Sequence, residues 1–174
     1  MTFMVRSTIL ISLMAWSLFG CGQSGENARV ESSSYDFLLR SLLNHNVPEI
    51  SVANLADSFH HFTILDSREK EEYEVSHIQN AIWVGYDDFD RDRLAQVSKD
   101  APIVVYCSIG YRSEQITDQL AYLGYTNVHN LYGGIFEWVN QGNPVYDQSG
   151  ETEKVHAYSK TWGIWLNEGE KVYN

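Results

Sequence analysis

Short apolar runs alternate with amphipathic segments between residues 48 and 145, a pattern typical of a chain in which strands alternate with helices. Each apolar run has the length of a buried strand, and the segments between the runs carry apolar residues at helical spacing. This alternation predicts an α/β domain with a mainly parallel sheet. The strand segments are VPEI, FTILDS, AIWV, PIVVYC and NVHNL.

Helical segments lie between these runs and after the last one, and one more, residues 35–44, precedes the first run. The predicted inward face of that first segment consists of Phe37, Leu38, Leu42 and Leu43. The segment SEQITDQLAYLG should begin at Ser113, whose hydroxyl can cap the first turn, and should end at Gly124. The other helical segments are VANLAD, REKEEYEV, RDRLAQVS and GGIFEWVNQGNP.

The first twenty residues predict an export signal outside the folded domain. Arg6 precedes an apolar stretch, TILISLMAWSLF, which is shorter than the roughly 18 residues needed to span a bilayer. The stretch ends at LFGCG, which resembles a bacterial lipobox with cleavage before Cys21 and lipid on its thiol; a plain secretory peptide is the alternative. We expect a signal peptide at 1–20, a flexible tether at 21–34, and a membrane-anchored lipoprotein of the cell envelope that faces the periplasm or the exterior.

Net charge and cysteine content narrow the function classes. The 174 residues carry a formal charge of −11, which argues against a nucleic acid partner because phosphate binding needs a basic face. If Cys21 carries lipid, Cys107 is left without a disulfide partner, since the chain has two cysteines. Scattered histidines and the lack of a second cysteine near Cys107 predict no metal site. The lack of dinucleotide and phosphate-loop motifs predicts no cofactor.

The segment VVYCSIGYRS places Cys107 at the end of a predicted buried strand and Arg112 at the start of a helix. A loop in this position directs backbone N–H groups inward, and the helix dipole adds to their attraction for an anion. Gly110 permits a tight turn. We expect the loop to stabilise a sulfur anion, a thiolate or a persulfide, whereas a buried inert cysteine is the alternative. The other residues of this cradle are Ser108, Ile109, Tyr111 and Ser113.

Five motifs, in order, resemble the rhodanese-like sulfurtransferase domain over residues 48–145. They are LDSREKEEY, SHIQNAIWV, VVYCSIGYRSE, LGYTNVHNLYGG and IFEWVNQGNPV. The resemblance implies a three-layer α/β fold, with a five-stranded mainly parallel sheet flanked by helices, in a domain of residues 35–145 that includes an N-terminal helix. It also implies a persulfide on Cys107 and a six-residue loop from Cys107 to Arg112, one residue shorter than the loop of phosphatases with this fold.

Two positions depart from the family's usual Gly-His-Ile-x-Gly-Ala pattern, because Ser76 and Asn80 replace its glycines. Asn80 tolerates a positive φ, whereas Ser76 should be strained at such a position. Asp66 and Arg68 match the family's Asp-x-Arg and could approach the site as its second shell. For these two residues we favour a structural ion pair that holds strand to helix.

These features predict a sulfurtransferase that moves sulfane sulfur from a small-molecule donor such as thiosulfate to a thiophilic or thiol acceptor. Cys107 and Arg112 are the candidate catalytic residues. Arg112 either faces an anionic donor or braces the loop by pairing with an acid. A non-catalytic binding module of the same fold is one alternative, and a phosphatase, disfavoured by the loop length, is another.

Residues 146–174 extend beyond the resemblance and are rich in aromatic side chains. In a helix, Trp162, Trp165 and Leu166 would share one ridge, although Gly163 weakens that prediction. We expect the extension to pack on the domain, and a docking patch for a partner or the membrane surface is the alternative.

Overall fold

The computed structural model describes residues 28–173, so the predicted signal peptide, Cys21 and the first part of the tether lie outside the described residues. No helix within this range is both long and apolar enough to cross a membrane. The helices are α1 (Ser33–Leu42), α2 (Val52–Asp57), α3 (Lys70–Val75), α4 (Tyr111–Tyr122) and α5 (Gly134–Asn140). The strands are β1 (Glu49–Ile50), β2 (Thr63–Asp66), β3 (Ile82–Trp83), β4 (Ile103–Tyr106), β5 (Val128–Leu131), β6 (Val145–Asp147), β7 (Gly150–Thr152), β8 (Lys154–His156) and β9 (Glu170–Val172).

The first five strands form one sheet in the order β1-β5-β4-β2-β3, and all of their pairings are parallel. Successive residues of the central strand β4 point to opposite faces of the sheet. Val104 and Tyr106 pack on the side of α1, α2 and α5, whereas Ile103 and Val105 pack on the side of α4. Helices therefore cover both faces, and the predicted three-layer fold with a five-stranded sheet is confirmed.

The helix that follows the cysteine loop starts earlier than the sequence predicts. Its N-cap is Gly110, and α4 begins at Tyr111. Ser113 lies inside the helix, where its buried hydroxyl donates to Asn130 Oδ1 at 2.7 Å. The prediction that Ser113 caps the helix is wrong, because Gly110 alone provides the positive φ needed at the turn. The segment RDRLAQVS also differs, since only Arg91–Leu94 is helical there, as a 3-10 turn.

The inward face of α1 differs from the predicted face. Phe37 is 75% exposed, whereas Tyr35 and Leu39 are buried. Tyr35 belongs to the buried stripe because its hydroxyl donates to the carbonyl of Gly133 at 2.9 Å, which satisfies its polar end. The stripe therefore runs from Tyr35 through Leu39 to Leu43, at helical spacing.

The two departures from the family's glycines have different outcomes. Asn80 adopts a φ of 59°, as expected for a residue that tolerates this region. Ser76 has a φ of −170°, which is ordinary extended backbone. The expectation of strain at Ser76 is therefore wrong.

The residues after α5 fold against the domain as two small sheets. β6 pairs with β7 in antiparallel fashion and β8 pairs with β9 in parallel fashion. Val155 and Leu166 are fully buried in the core that also contains α1 and α5, and the ring of Trp165 stacks on Tyr35 at 5.3 Å. The predicted helical ridge does not form, since only Gly163–Trp165 makes a 3-10 turn.

Candidate active site

Cys107 follows β4 directly and lies at the carboxyl end of the central strand. Its side chain is buried, with 1% of the residue exposed. The backbone N–H of Gly110 donates to Cys107 Sγ across 3.2 Å. Gly110 has a φ of 108°, which folds the loop back over the sulfur and starts α4 at the next residue. The sulfur therefore lies close to a backbone donor at the positive end of a twelve-residue helix.

A second helix fixes the other side of the loop. The carbonyl of Cys107 accepts the N–H of Ile135 at 2.9 Å, and the carbonyl of Ser108 accepts the N–H of Phe136 at 3.1 Å. Gly134 makes this close approach possible, because a Cβ there would overlap the carbonyl oxygen of Cys107. The first N–H groups of α5, which have no partner within the helix, are thus satisfied by the loop.

Asn130 on β5 holds the start of α4. Its side-chain amide donates to the carbonyl of Gly110 at 3.0 Å and accepts the hydroxyl of Ser113 at 2.7 Å. Asn130 is fully buried, and both ends of its amide have partners. The turn at Gly110 is therefore fastened to the sheet by hydrogen bonds that an apolar side chain could not make.

Arg112 is paired with a carboxylate from α3. Its Nη1 and Nη2 donate to the two oxygens of Glu72 at 2.7 and 2.9 Å. Ser108 joins the pair, since its hydroxyl donates to Glu72 at 3.0 Å and accepts from Arg112 at 3.1 Å. Pairing with an acid is the arrangement expected if Arg112 braces the loop, which is one of the two roles predicted for it.

Both members of this pair are ionised at neutral pH. Burial raises the pKa of the Glu72 carboxyl, but the hydrogen bonds and charge of Arg112 and the charge of Arg68 outweigh burial and hold that pKa below its ordinary value of 4.5. Burial lowers the pKa of Arg112, but the hydrogen bonds and the charge of Glu72 raise it overall. The guanidinium and the carboxylate therefore compensate each other's charge.

Asp66 and Arg68 form a fully buried ion pair, with Arg68 Nη2 at 2.6 Å from Asp66 Oδ2. The same nitrogen donates to the carbonyl of Ser76 at 2.6 Å, and the hydroxyl of Tyr106 donates to Asp66 at 2.5 Å. Neither member of the pair lines the pocket over Cys107. The pair links β2, β4 and the end of α3, as the structural interpretation requires.

A pocket of about 390 Å³ opens over Cys107. The loop contributes Ser108, Ile109, Tyr111 and Arg112 to its lining. Four further lining residues were not predicted from sequence: Leu42, Tyr86, Tyr158 and Trp162. For Tyr158 and Trp162, the one sequence signal was the aromatic content of residues 146–174. Within residues 28–173 no three His, Cys, Asp or Glu side chains are grouped so that they could hold a metal ion.

The parallel sheet, the six-residue loop and the cysteine at the end of the central strand define a rhodanese-type domain. The family model for the rhodanese-like domain matches residues 51–141, more than half of the chain. The chain therefore belongs to the rhodanese-like domain family.

Relatives and solved structures agree with this assignment. The chain is 40% identical over 91 residues to the tRNA uridine(34) hydroxylase of Photorhabdus laumondii, a match that covers 47% of this chain and 26% of that protein. It therefore spans about a quarter of the length of such relatives. The crystal structure of a rhodanese-related protein from Thermoplasma volcanium superposes with a TM-score of 0.51 at 31% identity, covering 56% of this chain and 96% of that one. A thiosulfate sulfurtransferase from Pseudomonas aeruginosa, 22% identical, shares the fold over 76% of this chain and 26% of its own, with a TM-score of 0.54.

Proposed function

We propose that this protein is a sulfurtransferase that carries sulfane sulfur as a persulfide on Cys107. The observation that carries the proposal is the position of Cys107 Sγ, which accepts a hydrogen bond from the N–H of Gly110 at 3.2 Å and faces a pocket. The loop of six residues, 107–112, supports sulfur rather than a bulkier tetrahedral phosphate as the bound group. The match to tRNA uridine(34) hydroxylases concerns a quarter of those proteins, and Cys107 and Gly110, on which the proposal rests, lie within residues 51–141.

The reaction is a double displacement. The Cys107 thiolate attacks the outer sulfur of a donor such as thiosulfate, an S–S bond forms, and the donor's own S–S bond breaks with its electron pair leaving on sulfite. The terminal sulfur of the Cys107 persulfide is then attacked by cyanide or a thiolate. Thiocyanate or a new persulfide leaves, and the Cys107 thiolate returns without any external oxidant or reductant.

The surrounding residues hold the sulfur anion and keep its position fixed. The N–H of Gly110 and the start of α4 favour negative charge at Cys107 in both the thiolate and the persulfide states. Glu72, Arg112 and Ser108 hold the outer half of the loop rigid. A rigid set of donors spares the reaction the cost of reorganising the loop at each displacement.

Mass spectrometry of the full chain tests this proposal. After incubation with thiosulfate or an organic thiosulfonate and removal of the donor, we expect a Cys107 species heavier by one sulfur, which disappears when cyanide is added and thiocyanate is released. Cys107→Ser should fold with the same melting temperature and show neither the added sulfur nor transfer above background. A wild-type protein that never gains sulfur would favour the binding module, and hydrolysis of an aryl phosphate would favour the phosphatase.

We further propose that the protein is exported and anchored by lipid on Cys21. The apolar stretch that ends at LFGCG and the polar segment 22–34 support this location. Such an anchor would hold the domain close to a membrane while leaving its pocket exposed to small sulfur compounds.

A further inference from the structure

Apolar and aromatic side chains form most of the wall of the pocket over Cys107. Six of its nine lining residues are of this kind: Leu42, Tyr86, Ile109, Tyr111, Tyr158 and Trp162. Three of the six, Leu42, Tyr158 and Trp162, lie outside the residues that match the family model. Residues on α1 and in the C-terminal extension, outside the match to the family model, therefore complete the wall over the loop.

The pocket offers little uncompensated positive charge with which to bind an anion. Among the residues that the structure describes, Arg112 is the one Lys or Arg side chain in its lining. Both oxygens of Glu72 bind that guanidinium, and Glu69 Oε1 lies 3.8 Å from its Nη1. A dianion such as thiosulfate would approach the Cys107 thiolate without an uncompensated cation to offset the repulsion.

Tyr158 is held over the pocket in an unfavourable backbone conformation. Its φ is 62°, in the left-handed region that bulky residues rarely adopt. Nδ1 of His156 accepts its N–H at 3.2 Å, and its ring centroid lies 5.0 Å from Cζ of Arg112. The residue is 51% exposed, so core packing does not require the ring. Strain maintained for a half-exposed ring at a candidate site indicates that the ring serves the site.

From these three observations we infer that the sulfur donor carries an apolar organic group and at most one negative charge. The inference rests on the proposed sulfur transfer and names its substrate class. The apolar group would lie against Tyr158 and Trp162 while the donor's outer sulfur faces Cys107. Aromatic and aliphatic walls around a few polar groups are the usual composition of a site for an organic ligand.

Three donors separate the effect of charge from the effect of the apolar group. Benzenethiosulfonate and methanethiosulfonate are both monoanions whose S–S bond breaks to release a sulfinate, and they differ in the organic group. Thiosulfate is a dianion without one. In each case the Cys107 thiolate takes the outer sulfur and the S–S electron pair leaves with the sulfinate or sulfite, so charge and atoms balance.

The measurement is kcat/KM for each donor with cyanide as acceptor, on the full chain. Each value is divided by the rate constant of the same donor with free cyanide, which removes differences in intrinsic reactivity. We expect this normalised kcat/KM to be about tenfold higher or more for benzenethiosulfonate than for methanethiosulfonate, because burial of a phenyl ring against the wall adds to binding in the transition state. Thiosulfate should be the poorest of the three.

Tyr158→Asn tests the wall directly, because asparagine tolerates the left-handed backbone and lacks the ring. We expect this variant to keep or raise the melting temperature and to lower severalfold the ratio of kcat/KM for benzenethiosulfonate to kcat/KM for methanethiosulfonate, the benzene-to-methane ratio. Tyr158→Phe should keep the ratio. Tyr122→Asn is the matched control, since Tyr122 is 92% exposed at the far end of α4, and it should change neither quantity.

The outcomes distinguish this inference from the function on which it rests. A wild-type ratio near one, a ratio unchanged in Tyr158→Asn, or thiosulfate as the best donor would overturn the substrate class and leave sulfur transfer standing. Transfer from none of the three donors would overturn both. A raised wild-type ratio that falls in Tyr158→Asn and not in Tyr122→Asn would support the inference.

Discussion

Glu72 binds the guanidinium of Arg112 with both of its carboxylate oxygens, at 2.7 and 2.9 Å, although the two residues lie 40 positions apart in the chain. The contact joins α3 to the start of α4. The charge of the one cation in the loop of residues 107–112 is therefore compensated by a buried acid, and three of its five N–H donors are used by Glu72 and Ser108. We therefore expect Arg112 to act through the position of the loop and not through contact with a donor.

Arg112→Ala should lower kcat/KM by a similar factor for anionic thiosulfate and for an uncharged sulfur donor, roughly ten- to a hundredfold. The reason is that loss of the brace loosens the loop for every donor. Differential scanning calorimetry should show a lower melting temperature. Arg112→Lys should rescue only partly, because lysine cannot bind both oxygens of Glu72 in a planar fork.

Arg40→Ala is the control for this arginine, since Arg40 pairs with Asp36 on the exposed side of α1. A solvent-exposed pair of this kind contributes little to stability, so activity and stability should stay unchanged. A loss confined to thiosulfate in Arg112→Ala would show instead that Arg112 meets the anionic donor.

The contribution of Glu72 to stability should depend on pH. Its pKa is lower in the folded protein than the ordinary value of 4.5, so the unfolded chain takes up the proton first as the pH falls. The stabilisation by Glu72 is complete above pH 4.5 and is lost as the pH drops through the lowered pKa of the folded protein. Glu72→Gln should therefore cost about 3 kcal/mol at neutral pH, and the difference from wild type should shrink on acidification.

Urea unfolding at a series of pH values measures that difference. Glu71→Gln is the neighbouring control, because Glu71 is exposed on the same helix and should give a small, nearly constant difference. A Glu72→Gln difference that stays constant with pH would contradict the assigned ion pair.

Gly134→Ala should destabilise the protein by about 2 kcal/mol or more. The backbone at Gly134 has a φ of 57°, and a Cβ would also lie 2.7 Å from the backbone nitrogen of Ile109 inside the cysteine loop. Gly142→Ala isolates the backbone cost, because Gly142 has a φ of 76° and open space around the added Cβ. Denaturant unfolding should show a larger loss of unfolding free energy for Gly134→Ala than for Gly142→Ala. Equal losses would mean that contact with the loop contributes nothing.

Arg68→Met should cost about 3–5 kcal/mol, because it leaves the carboxylate of Asp66 buried without its partner. The double variant Asp66→Asn with Arg68→Met should recover part of the loss. Lys70→Met, which removes an exposed pair with Glu74, should cost less than about 0.5 kcal/mol. A catalytic role for Arg68 would appear as loss of sulfur transfer per folded molecule, and we expect that activity to persist.

Cys21→Ser should release the protein from the membrane fraction or leave it as an unprocessed precursor, because it removes the proposed site of lipid attachment. The several acyl chains of a bacterial lipoprotein anchor stably, whereas a single chain binds only marginally. Membrane fractionation with metabolic fatty-acid labelling measures this. The Cys107→Ser variant serves as control and should still carry label. A wild-type chain that stays soluble and takes up no label would indicate an ordinary secretory peptide.

Local patterns predicted the sheet and the cysteine loop from the sequence. An apolar run that ends at Cys107, a glycine three residues later and a helical pattern beyond it are contiguous, so their meaning does not depend on distant residues. The helix start was misplaced because Ser113 is a good cap by composition, whereas the structure uses its hydroxyl to bind Asn130.

Long-range contacts and irregular segments could not be predicted in this way. The pair of Glu72 with Arg112 joins separate helices, and a sequence pattern shows only that Glu72 stands in the first turn of α3. The extension carries no helical or strand period long enough to place Tyr158 or Trp162 over the pocket. Phe37 was assigned to the core because an apolar pattern does not show that Tyr35 can satisfy its hydroxyl on Gly133.

The pocket over Cys107 takes part of its wall from residues on both flanks of the family domain, Leu42 on one side and Tyr158 and Trp162 on the other. Substitutions at these flanking positions can therefore change the shape and polarity of the pocket while the sequence of residues 107–112 stays the same. Any preference among sulfur compounds that depends on the wall would then be set partly by residues outside 51–141. For this chain, the segment that builds the pocket is longer than the segment that identifies the family.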